Sequence, residues 1–239
     1  MTEFDQTLWS ERDYAQEYRN NADHYVQERE MLYRVLVSFY KQFIGVGRSK
    51  RVLDLGCGDG AIANQILSVD DTVEMILMDG SKDMLEAARK RFHHFTEVQY
   101  VLSTFEALIT GETSLPTFDF IASAFAIHHL SLSPKIALFK QIYAHLNRGG
   151  AFLNIDTVFP NNPGYTDWYY HFWREWIIDR QKRLNLKENF DYVPERARNN
   201  PENKLDTLQA QLDALEDVGF KDVECHYKFG LFVIFGGRK

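Results

Sequence analysis

The spacing of apolar residues predicts helices at the start of the chain. Apolar residues within the first 47 positions recur at separations of seven, four, three and four, and they are Tyr25, Leu32, Leu36, Phe39 and Phe43. This spacing places them on one face of a helix. Gly45 and Gly47 then interrupt the pattern. We therefore predict one helical face over residues 25–43 and a helical segment over residues 1–47.

Short apolar runs alternate with further helical patterns along the rest of the chain. Strands buried on both faces read as such runs, and helices supply the crossovers that parallel strands need. The predicted strands cover residues 51–55, 73–78, 98–102, 118–123, 151–155, 223–229 and 231–235. The predicted helices cover residues 61–68, 82–92, 134–146 and 205–218. The pattern predicts an α/β fold with a Rossmann-like, doubly wound and mostly parallel sheet that ends in an antiparallel hairpin.

The composition changes over residues 157–204, which contain four of the six prolines. Eight aromatic residues fall within 18 positions, and they are Phe159, Tyr165, Trp168, Tyr169, Tyr170, Phe172, Trp173 and Trp176. We interpret this segment as an inserted cap. The chain is then a single domain with N-terminal helices at 1–47, a core at 48–156, the cap at 157–204, and a C-terminal helix and hairpin at 205–239.

Charge and composition exclude several classes of function. With 27 basic and 34 acidic side chains, the net charge is −7, so no global positive field attracts a phosphate backbone. We expect no nucleic-acid partner unless a local basic patch provides one. The apolar run at residues 121–127 is far shorter than the ~20 residues that cross a bilayer.

The N-terminal residues and the cysteines indicate the cellular compartment. The first residues have neither the basic nor the apolar region of a signal peptide, so we expect a cytoplasmic protein without a membrane anchor. Cys57 and Cys225 are the only cysteines. They are too few for a disulfide framework and lack zinc-site spacing, so we expect two reduced thiols and no metal.

Glycine occupies three alternate positions where the first predicted strand meets a helix. Gly56, Gly58 and Gly60 allow the backbone to approach a ligand without obstruction by Cβ. Asp79 follows 19 residues after Gly60, at the end of the second predicted strand, where a carboxylate can accept hydrogen bonds from both ribose hydroxyls. Either signal alone also fits a plain turn or a helix cap, but the pair predicts an adenosine-type ligand.

Asp54 indicates the charge of that ligand. Gly56, Gly58 and Ala61 also satisfy the dinucleotide pattern G-x-G-x-x-[GA], so the glycines do not identify the nucleoside. A negative charge at the tip of the first strand is unfavourable beside a pyrophosphate and favourable beside an ammonium or sulfonium group. The sequence therefore predicts a ligand with positive charge.

These residues resemble the class I S-adenosylmethionine-dependent methyltransferases, whose first motif is an acidic residue two positions before a GxGxG turn. The resemblance extends over almost the whole chain. Its motifs here are Val52-Leu-Asp-Leu-Gly-Cys-Gly-Asp-Gly60, Met78-Asp-Gly-Ser81, Met84-Leu-Glu-Ala-Ala88, Phe118-Asp-Phe120, Ala126-Ile-His-His-Leu130 and Leu146-Asn-Arg-Gly-Gly150. The resemblance implies a seven-stranded sheet of order 3-2-1-4-5-7-6 with strand seven antiparallel, and S-adenosylmethionine as the cofactor with S-adenosylhomocysteine as its product.

The resemblance also implies roles for individual residues. Asp54 and the turn from Gly56 to Gly60 would hold the methionine moiety, Asp79 would hold the ribose, and Met84 would line the adenine pocket. The full set of cofactor-binding residues that it implies is Asp54, Gly56, Cys57, Gly58, Gly60, Asp79, Gly80, Met84, Ser103, Thr104, Phe105 and Ala124. Where many relatives place an acidic residue after strand three, this chain has Ser103, Thr104 and Phe105.

The sequence contains fewer signals for the methyl-acceptor site than for the cofactor site. Methyl transfer to a hydroxyl needs a general base, and His128 and His129 follow the fourth predicted strand, although structural roles would also explain them. Substrate-contacting candidates lie in the N-terminal helix and the cap, and they are Tyr14, Tyr18, Arg19, Trp168, Trp173 and Arg196. Core packing of the aromatic residues and solvation of the arginines are the alternatives to these roles.

The hypothesis that explains most residues is a methyltransferase acting on a small molecule of unknown identity. A nicotinamide oxidoreductase would explain the glycines but not Asp54. A third alternative is a protein of the same fold that binds S-adenosylmethionine, or a modified form of it, for a non-methylating or tRNA-modification role. A homodimer is compatible with all three alternatives.

Overall fold

The computed structural model describes residues 4–47 and 50–239. The strands are β1 (Arg51–Leu55), β2 (Glu74–Asp79), β3 (Val98–Leu102), β4 (Phe118–Ala124), β5 (Leu146–Thr157), β6 (Lys221–Phe229) and β7 (Phe232–Arg238). The α-helices are α1 (Arg12–Tyr25), α2 (Arg29–Phe39), α3 (Ala61–Leu67), α4 (Lys82–Arg91), α5 (Phe105–Thr110), α6 (Leu132–His145), α7 (Thr166–Leu184), α8 (Val193–Asn199) and α9 (Leu208–Val218). Residues 1–3, 48 and 49 of the predicted N-terminal segment and core lie outside the described residues.

The strands form one sheet in the order β3-β2-β1-β4-β5-β7-β6. The pairs from β3 through β5 are parallel, and β7 is antiparallel to both of its neighbours. The α/β fold, the strand order and the C-terminal hairpin are therefore confirmed. The division of the chain into one domain with four segments stays a prediction.

Helices cover both faces of the sheet, because successive strand residues point to opposite sides. On one side, Val52 and Phe120 pack in a core that includes α1, α2, α3, α4 and α7. On the other side, Leu53 and Ile121 pack in a core formed with α5, α6 and α9. Burial on both faces explains why the strands read as apolar runs rather than as alternating patterns. None of the helices within the described residues is long and apolar enough to cross a membrane.

The predicted continuous helical face over residues 25–43 is wrong. α1 ends at Tyr25, and α2 begins only at Arg29, because Glu28 adopts the left-handed conformation with φ of 52°. A π-helical turn over Tyr40–Ile44 then shifts the helical register. Tyr40 is consequently buried, whereas 49% of the Phe43 surface is exposed.

Other element boundaries also differ from the predictions. α6 begins two residues before Pro134 rather than at it. β5 begins five residues earlier than predicted, because Leu146 already pairs with Phe118 of β4. α9 begins three residues later than predicted, where the Thr207 hydroxyl accepts a hydrogen bond from the Ala210 N–H at 3.2 Å. That hydroxyl satisfies an N–H group that has no partner inside the helix.

The aromatic cap consists mainly of α7 and α8, which lie against the junction of α1 and α2. The Trp173 indole donates a hydrogen bond to the Tyr25 carbonyl at 2.6 Å, and the Trp176 indole donates one to the Glu28 carboxylate at 3.2 Å. Trp173 is buried, whereas 56% of Trp168 is exposed. The aromatic residues of the cap therefore divide between packing on the N-terminal helices and facing solvent.

A fully buried lysine joins the end of the cap to the core. The Lys135 ammonium on α6 donates to the Lys204 carbonyl at 2.6 Å and to the Asp206 carboxylate at 2.5 Å. Burying an ammonium is unfavourable unless it is paired and hydrogen-bonded. The segment that leads from the cap into α9 therefore has a fixed position over α6.

We predict that Lys135→Met destabilises the protein by about 1–3 kcal/mol, because it removes two hydrogen bonds and leaves Asp206 without its partner. Urea unfolding monitored by circular dichroism measures this change. Lys140→Met, on the exposed side of the same helix, is the control and should change the free energy of unfolding by less than about 0.5 kcal/mol. Equal effects of the two variants would contradict the role of Lys135.

Candidate active site

A cavity of about 250 Å³ lies where the strand order reverses between β1 and β4. Ligands of open α/β sheets bind at such a point, beyond the carboxyl ends of the strands. The loop after β1, the end of β2, the start of α5 and the end of β4 all contribute to its wall. The N-terminal helices close the cavity on its outer side through Tyr18, Arg29 and Tyr33.

The glycine turn lies at the base of this cavity. Gly56 and Cys57 donate their backbone N–H groups to the Met78 carbonyl at 2.8 and 3.0 Å, which fixes the turn against β2. Gly56 has a φ of +68°, and a Cβ there would lie 2.5 Å from the Ala126 Cβ. At Gly58, with a φ of +54°, a Cβ would meet only the Met84 sulfur at 3.9 Å, so the missing side chain leaves open space.

Gly60 is the one predicted cofactor residue that does not line the cavity. It precedes α3 with a φ of +82°, and a Cβ there would lie 2.4 Å from the Phe92 ring. Its role in this structure is to admit the left-handed turn and the close packing of α4. This is the third glycine's usual purpose in a strand-turn-helix unit.

Asp79, at the end of β2, binds backbone N–H groups of two loops at the base of the cavity. One carboxylate oxygen accepts the Gly58 N–H at 2.8 Å, and the other accepts the Ser81 N–H at 2.7 Å. Burial raises the pKa of Asp79, although these two hydrogen bonds lower it in part. Each oxygen keeps a further lone pair, so the carboxylate can accept two more hydrogen bonds from vicinal hydroxyls.

Asp54 is a buried carboxylate without a cationic partner. Only 1% of its surface is exposed, and one oxygen accepts the Ala63 N–H at 3.0 Å. Burial raises the pKa of Asp54 well above its ordinary range, and the nearby Asp79 and Asp59 carboxylates raise it further. The hydrogen bond from the Ala63 N–H lowers this pKa in part. Among the described residues, its second oxygen has no protein partner. A cationic ligand group would stabilise the ionised form of this residue.

The charges around the cavity favour a cation overall. Its lining includes one arginine, Arg29, and five acidic residues, namely Asp54, Asp59, Asp79, Glu106 and Glu202. Arg91 pairs with Asp59 at 2.6 Å, but the remaining charge is still negative. Arg29 lies over the Tyr33 ring at 5.2 Å, and its Nη1 atom pairs with Asp23. Among the described residues, its Nε atom and the Tyr33 hydroxyl are buried without hydrogen-bond partners. These two groups offer hydrogen-bond donors to an anionic group.

The predicted residues Ser103, Thr104 and Phe105 form the side of the cavity near β3. The Ser103 hydroxyl is hydrogen-bonded to the Thr113 hydroxyl, and the Thr104 hydroxyl caps α5 by accepting the Ala107 N–H at 3.2 Å. Both hydroxyl groups are therefore engaged within the protein. Backbone groups, the Phe105 ring, Met84 and Gly80 remain to contact a planar base.

Eleven of the twelve predicted cofactor residues line the first cavity, with Gly60 as the exception. The sequence reasoning missed further lining residues, which include Phe4, Trp9, Arg29, Tyr33, Glu106, Phe125 and Glu202. Glu106 could have been found as an acidic residue shortly after β3. The others come from distant segments and carry no local sequence signal.

A second cavity of about 100 Å³ adjoins the first and shares Trp9, Tyr18, Phe125 and His129 with it. Of the predicted substrate-contacting residues, Tyr14, Tyr18, Trp173 and Arg196 line this second cavity. The structure does not bring Arg19 or Trp168 to either cavity. The N-terminal helix and the cap therefore meet over the active-site region.

His128 and Asp156 form a buried pair on the wall of the second cavity. The His128 Nδ1 atom lies 2.5 Å from an Asp156 oxygen, and the Asn154 amide donates to the other oxygen at 3.2 Å. Burial raises the pKa of Asp156, but His128 and the Thr157 N–H lower it by more, so the net shift is downward. Because Nδ1 is held by the carboxylate, Nε2 is the ring nitrogen available to accept a proton.

The second predicted catalytic residue, His129, has protein partners at both ring nitrogens. The Trp9 indole donates to His129 Nε2 at 2.7 Å, and Nδ1 lies 3.2 Å from the Glu202 carbonyl. The network assigns the proton to Nδ1, and both ring nitrogens are therefore engaged. Burial and the neighbouring His128 lower the pKa of His129 to about 3. The neutral His129 ring thus holds Trp9 and the Glu202 backbone of the cap in place.

Phe125 separates the two cavities in a strained backbone conformation. It directly follows β4 with a φ of 53°, which is uncommon for a bulky residue. Its N–H donates to the Ile155 carbonyl at 2.8 Å, and its ring lies 6.1 Å from that of Phe232. Such strain concentrates at functional sites, where the surrounding structure enforces it.

We predict that His129→Gln reduces the acid sensitivity of the fold. The folded-state pKa of about 3 lies below the ordinary value of 6.5, so the unfolded chain binds a proton first. Stability therefore falls as pH decreases from about 6.5 towards 3, with a slope of up to about 1.4 kcal/mol per pH unit. Glutamine can keep both hydrogen bonds without titrating. Chemical unfolding at pH 7 and pH 5 measures the difference, and the exposed His93→Gln is the control; an unchanged slope in His129→Gln would contradict this assignment.

Comparison with known proteins agrees with the geometry of the site. A methyltransferase-domain family model matches residues 53–152, which contain the glycine turn, Asp79 and β4. The demethylmenaquinone methyltransferase of Leptospira interrogans is 29% identical over 204 residues, covering 79% of this chain and 74% of that protein.

Solved structures agree with the fold. The structure titled PigF with SAH has a TM-score of 0.67 at 14% identity, covering 99% of this chain and 62% of that chain. Human N-acetylserotonin methyltransferase in complex with SAM has a TM-score of 0.64 at 17% identity, covering 99% of this chain and 58% of that chain. This chain thus spans less than two thirds of either of those chains. Residues 53–152 of this chain therefore form a methyltransferase domain, and its motifs and sheet order are similar to those of the class I S-adenosylmethionine-dependent methyltransferases.

Proposed function

We propose that this protein transfers a methyl group from S-adenosylmethionine to a hydroxyl group of a small molecule. The observation that carries the proposal is the His128–Asp156 pair, because His128 lines a cavity that adjoins the glycine-turn cavity. A base that is held by a buried carboxylate suits an acceptor that is protonated at neutral pH. A transfer to a nucleophile without a proton would not need this pair.

The first cavity fits S-adenosylmethionine in charge and shape. Asp79 offers two oxygens to the ribose hydroxyls, and the space left open at Gly58 allows close approach of the ligand to the backbone. Asp54 would stabilise the cationic part of the methionine moiety, while Arg29 and Tyr33 would bind its carboxylate. Met84 and Phe105 provide apolar contacts for the adenine.

When bound, S-adenosylmethionine supplies an electrophilic methyl group, and S-adenosylhomocysteine remains after the methyl group leaves with the acceptor. The two adjoining cavities would hold the acceptor oxygen close to the methyl carbon. His128 Nε2 would take the proton of the acceptor hydroxyl. Asp156 stabilises the resulting imidazolium and keeps the ring in the required orientation.

The relatives support a small-molecule acceptor. The names of the Leptospira protein and of the human structure both specify small organic acceptors, demethylmenaquinone and N-acetylserotonin. A modified cofactor with an added carboxylate is disfavoured, because the cavity carries five acidic residues and a single arginine. Mass spectrometry of ligand released from the purified protein distinguishes the two forms.

We predict that S-adenosylmethionine and S-adenosylhomocysteine bind the purified protein, and that Asp79→Ala weakens both by about 10- to 100-fold through the loss of charged hydrogen bonds. Asp54→Asn keeps the acceptor for the Ala63 N–H but removes the charge, and we expect about tenfold weaker binding. Isothermal titration calorimetry measures both effects. Asp71→Ala, an exposed loop substitution, is the control. The proposal fails if ligand-free, folded protein binds neither compound.

We predict that His128→Asn and Asp156→Asn each lower kcat by about 10²- to 10⁴-fold, the range of general-base contributions. The affinity for S-adenosylhomocysteine should be unchanged, because neither residue lines the first cavity. His145→Asn on α6 serves as the control. Full activity of His128→Asn would rule out the base role.

A further inference from the structure

Two groups of aromatic rings line the second cavity. In the N-terminal segment, Tyr18 lies 5.1 Å from Trp9 and 6.3 Å from Tyr25, measured between ring centroids. In the second group, Phe232 lies 6.1 Å from Phe125 and 5.0 Å from Trp173. Rings at such separations present both faces and edges to a guest, an arrangement that favours another flat aromatic ring.

The size of the cavity limits that guest to one ring. Its volume is about 100 Å³, which is less than the volume of about 150 Å³ of an apolar cavity that accommodates benzene in another protein. One ring is therefore the upper limit, and its substituents need the adjoining space of the first cavity, which shares Trp9, Tyr18, Phe125 and His129 with the second. A fused two-ring system would require the walls to move.

The charges on the wall favour a neutral guest. Arg196 is the cationic lining residue of the second cavity, and its Nη1 atom binds both Glu17 oxygens at 3.0 and 3.1 Å. Because this pairing compensates the arginine, an ionised carboxylate on the acceptor gains little. A cationic amine gains little either, because the described residues that line this cavity include no acidic side chain.

Tyr25 provides a second polar group besides His128. Only 4% of its surface is exposed, it lines the cavity, and its hydroxyl has no hydrogen-bond partner among the described residues. A buried hydroxyl without a partner is unfavourable. A ligand that accepts its hydrogen bond would remove that cost.

We propose that the second cavity is the acceptor site and that it selects single-ring phenols bearing a second hydroxyl group, with one hydroxyl at His128 and the other at Tyr25. This assignment rests on the proposed function, because it makes the phenol oxygen the methyl acceptor. His128 takes the phenolic proton, the O–CH₃ bond forms, and the S–CH₃ bond of the cofactor breaks with its electron pair going to sulfur. Tyr25 acts as a specificity-determining residue and takes no part in proton transfer.

The test compares catechol, resorcinol and hydroquinone with the three methylphenols of the same geometry, and with 2-naphthol and benzylamine. Binding is measured by calorimetry on protein saturated with S-adenosylhomocysteine, and turnover by mass spectrometry with S-adenosylmethionine. We expect at least one dihydroxybenzene to bind and to be methylated on oxygen. Neither 2-naphthol nor benzylamine should compete with it.

The decisive variant is Tyr25→Phe, with the remote Tyr143→Phe as its matched control. Tyr25→Phe should lower kcat/KM and affinity about tenfold for the preferred dihydroxybenzene and leave the corresponding methylphenol unchanged. Its affinity for S-adenosylhomocysteine should equal that of the wild type, which shows that it is folded. Val193→Ala, which enlarges the cavity wall, should improve binding of 2-naphthol.

The outcomes separate this inference from the proposed function. If S-adenosylhomocysteine binds but no single-ring phenol does, or if 2-naphthol or benzylamine is preferred, the acceptor assignment is overturned while the cofactor site stands. If Tyr25→Phe affects dihydroxybenzene and methylphenol equally, the selection by Tyr25 is overturned. If neither S-adenosylmethionine nor its product binds, the proposed function itself fails.

Discussion

The close approach of two loops at the carboxyl ends of β1 and β4 is the constraint on which the rest of the site depends. Gly56 lies so near Ala126 that a Cβ would approach within 2.5 Å of the alanine methyl group. Phe125, one residue earlier, takes a φ of 53° and is held by its hydrogen bond to Ile155. Gly56 and Ala126 line the first cavity, and Phe125 lines both cavities. A different spacing of the loops would move the glycine turn relative to the wall that carries His128.

The two cavities differ in how far their buried charges are compensated. The first contains Asp54, a buried carboxylate that has no ion-pair partner within the described part of the chain, so the free protein bears a desolvation cost that a cationic ligand relieves. The second contains Asp156, whose charge is already compensated by His128 and by hydrogen bonds from Asn154 and Thr157. A cationic ligand therefore relieves more electrostatic cost in the first cavity than in the second. The free energy of unfolding increases with the concentration of that ligand.

The sequence predicted the fold and the base of the first cavity, because both depend on local signals. Apolar runs, turn glycines and the spacing from Gly60 to Asp79 are readable along the chain. Arg29, Phe125 and Glu202 could not be predicted as cavity residues, because their positions depend on contacts between segments far apart in sequence. The same holds for the difference between His128 and His129, which are adjacent in sequence. Only the tertiary partners, Asp156 for one and Trp9 with Glu202 for the other, determine which ring nitrogen is free.

Trp9 belongs to both cavities, since its ring lies on the wall of each. Among the described residues, the contacts that hold this segment include those from the Trp9 indole to His129 at 2.7 Å and from the Leu8 N–H to Glu202 at 2.9 Å. Both partners belong to elements that the cap and Lys135 hold in place. Because one ring forms part of both walls, any shift of Trp9 alters the shape of the two cavities at once.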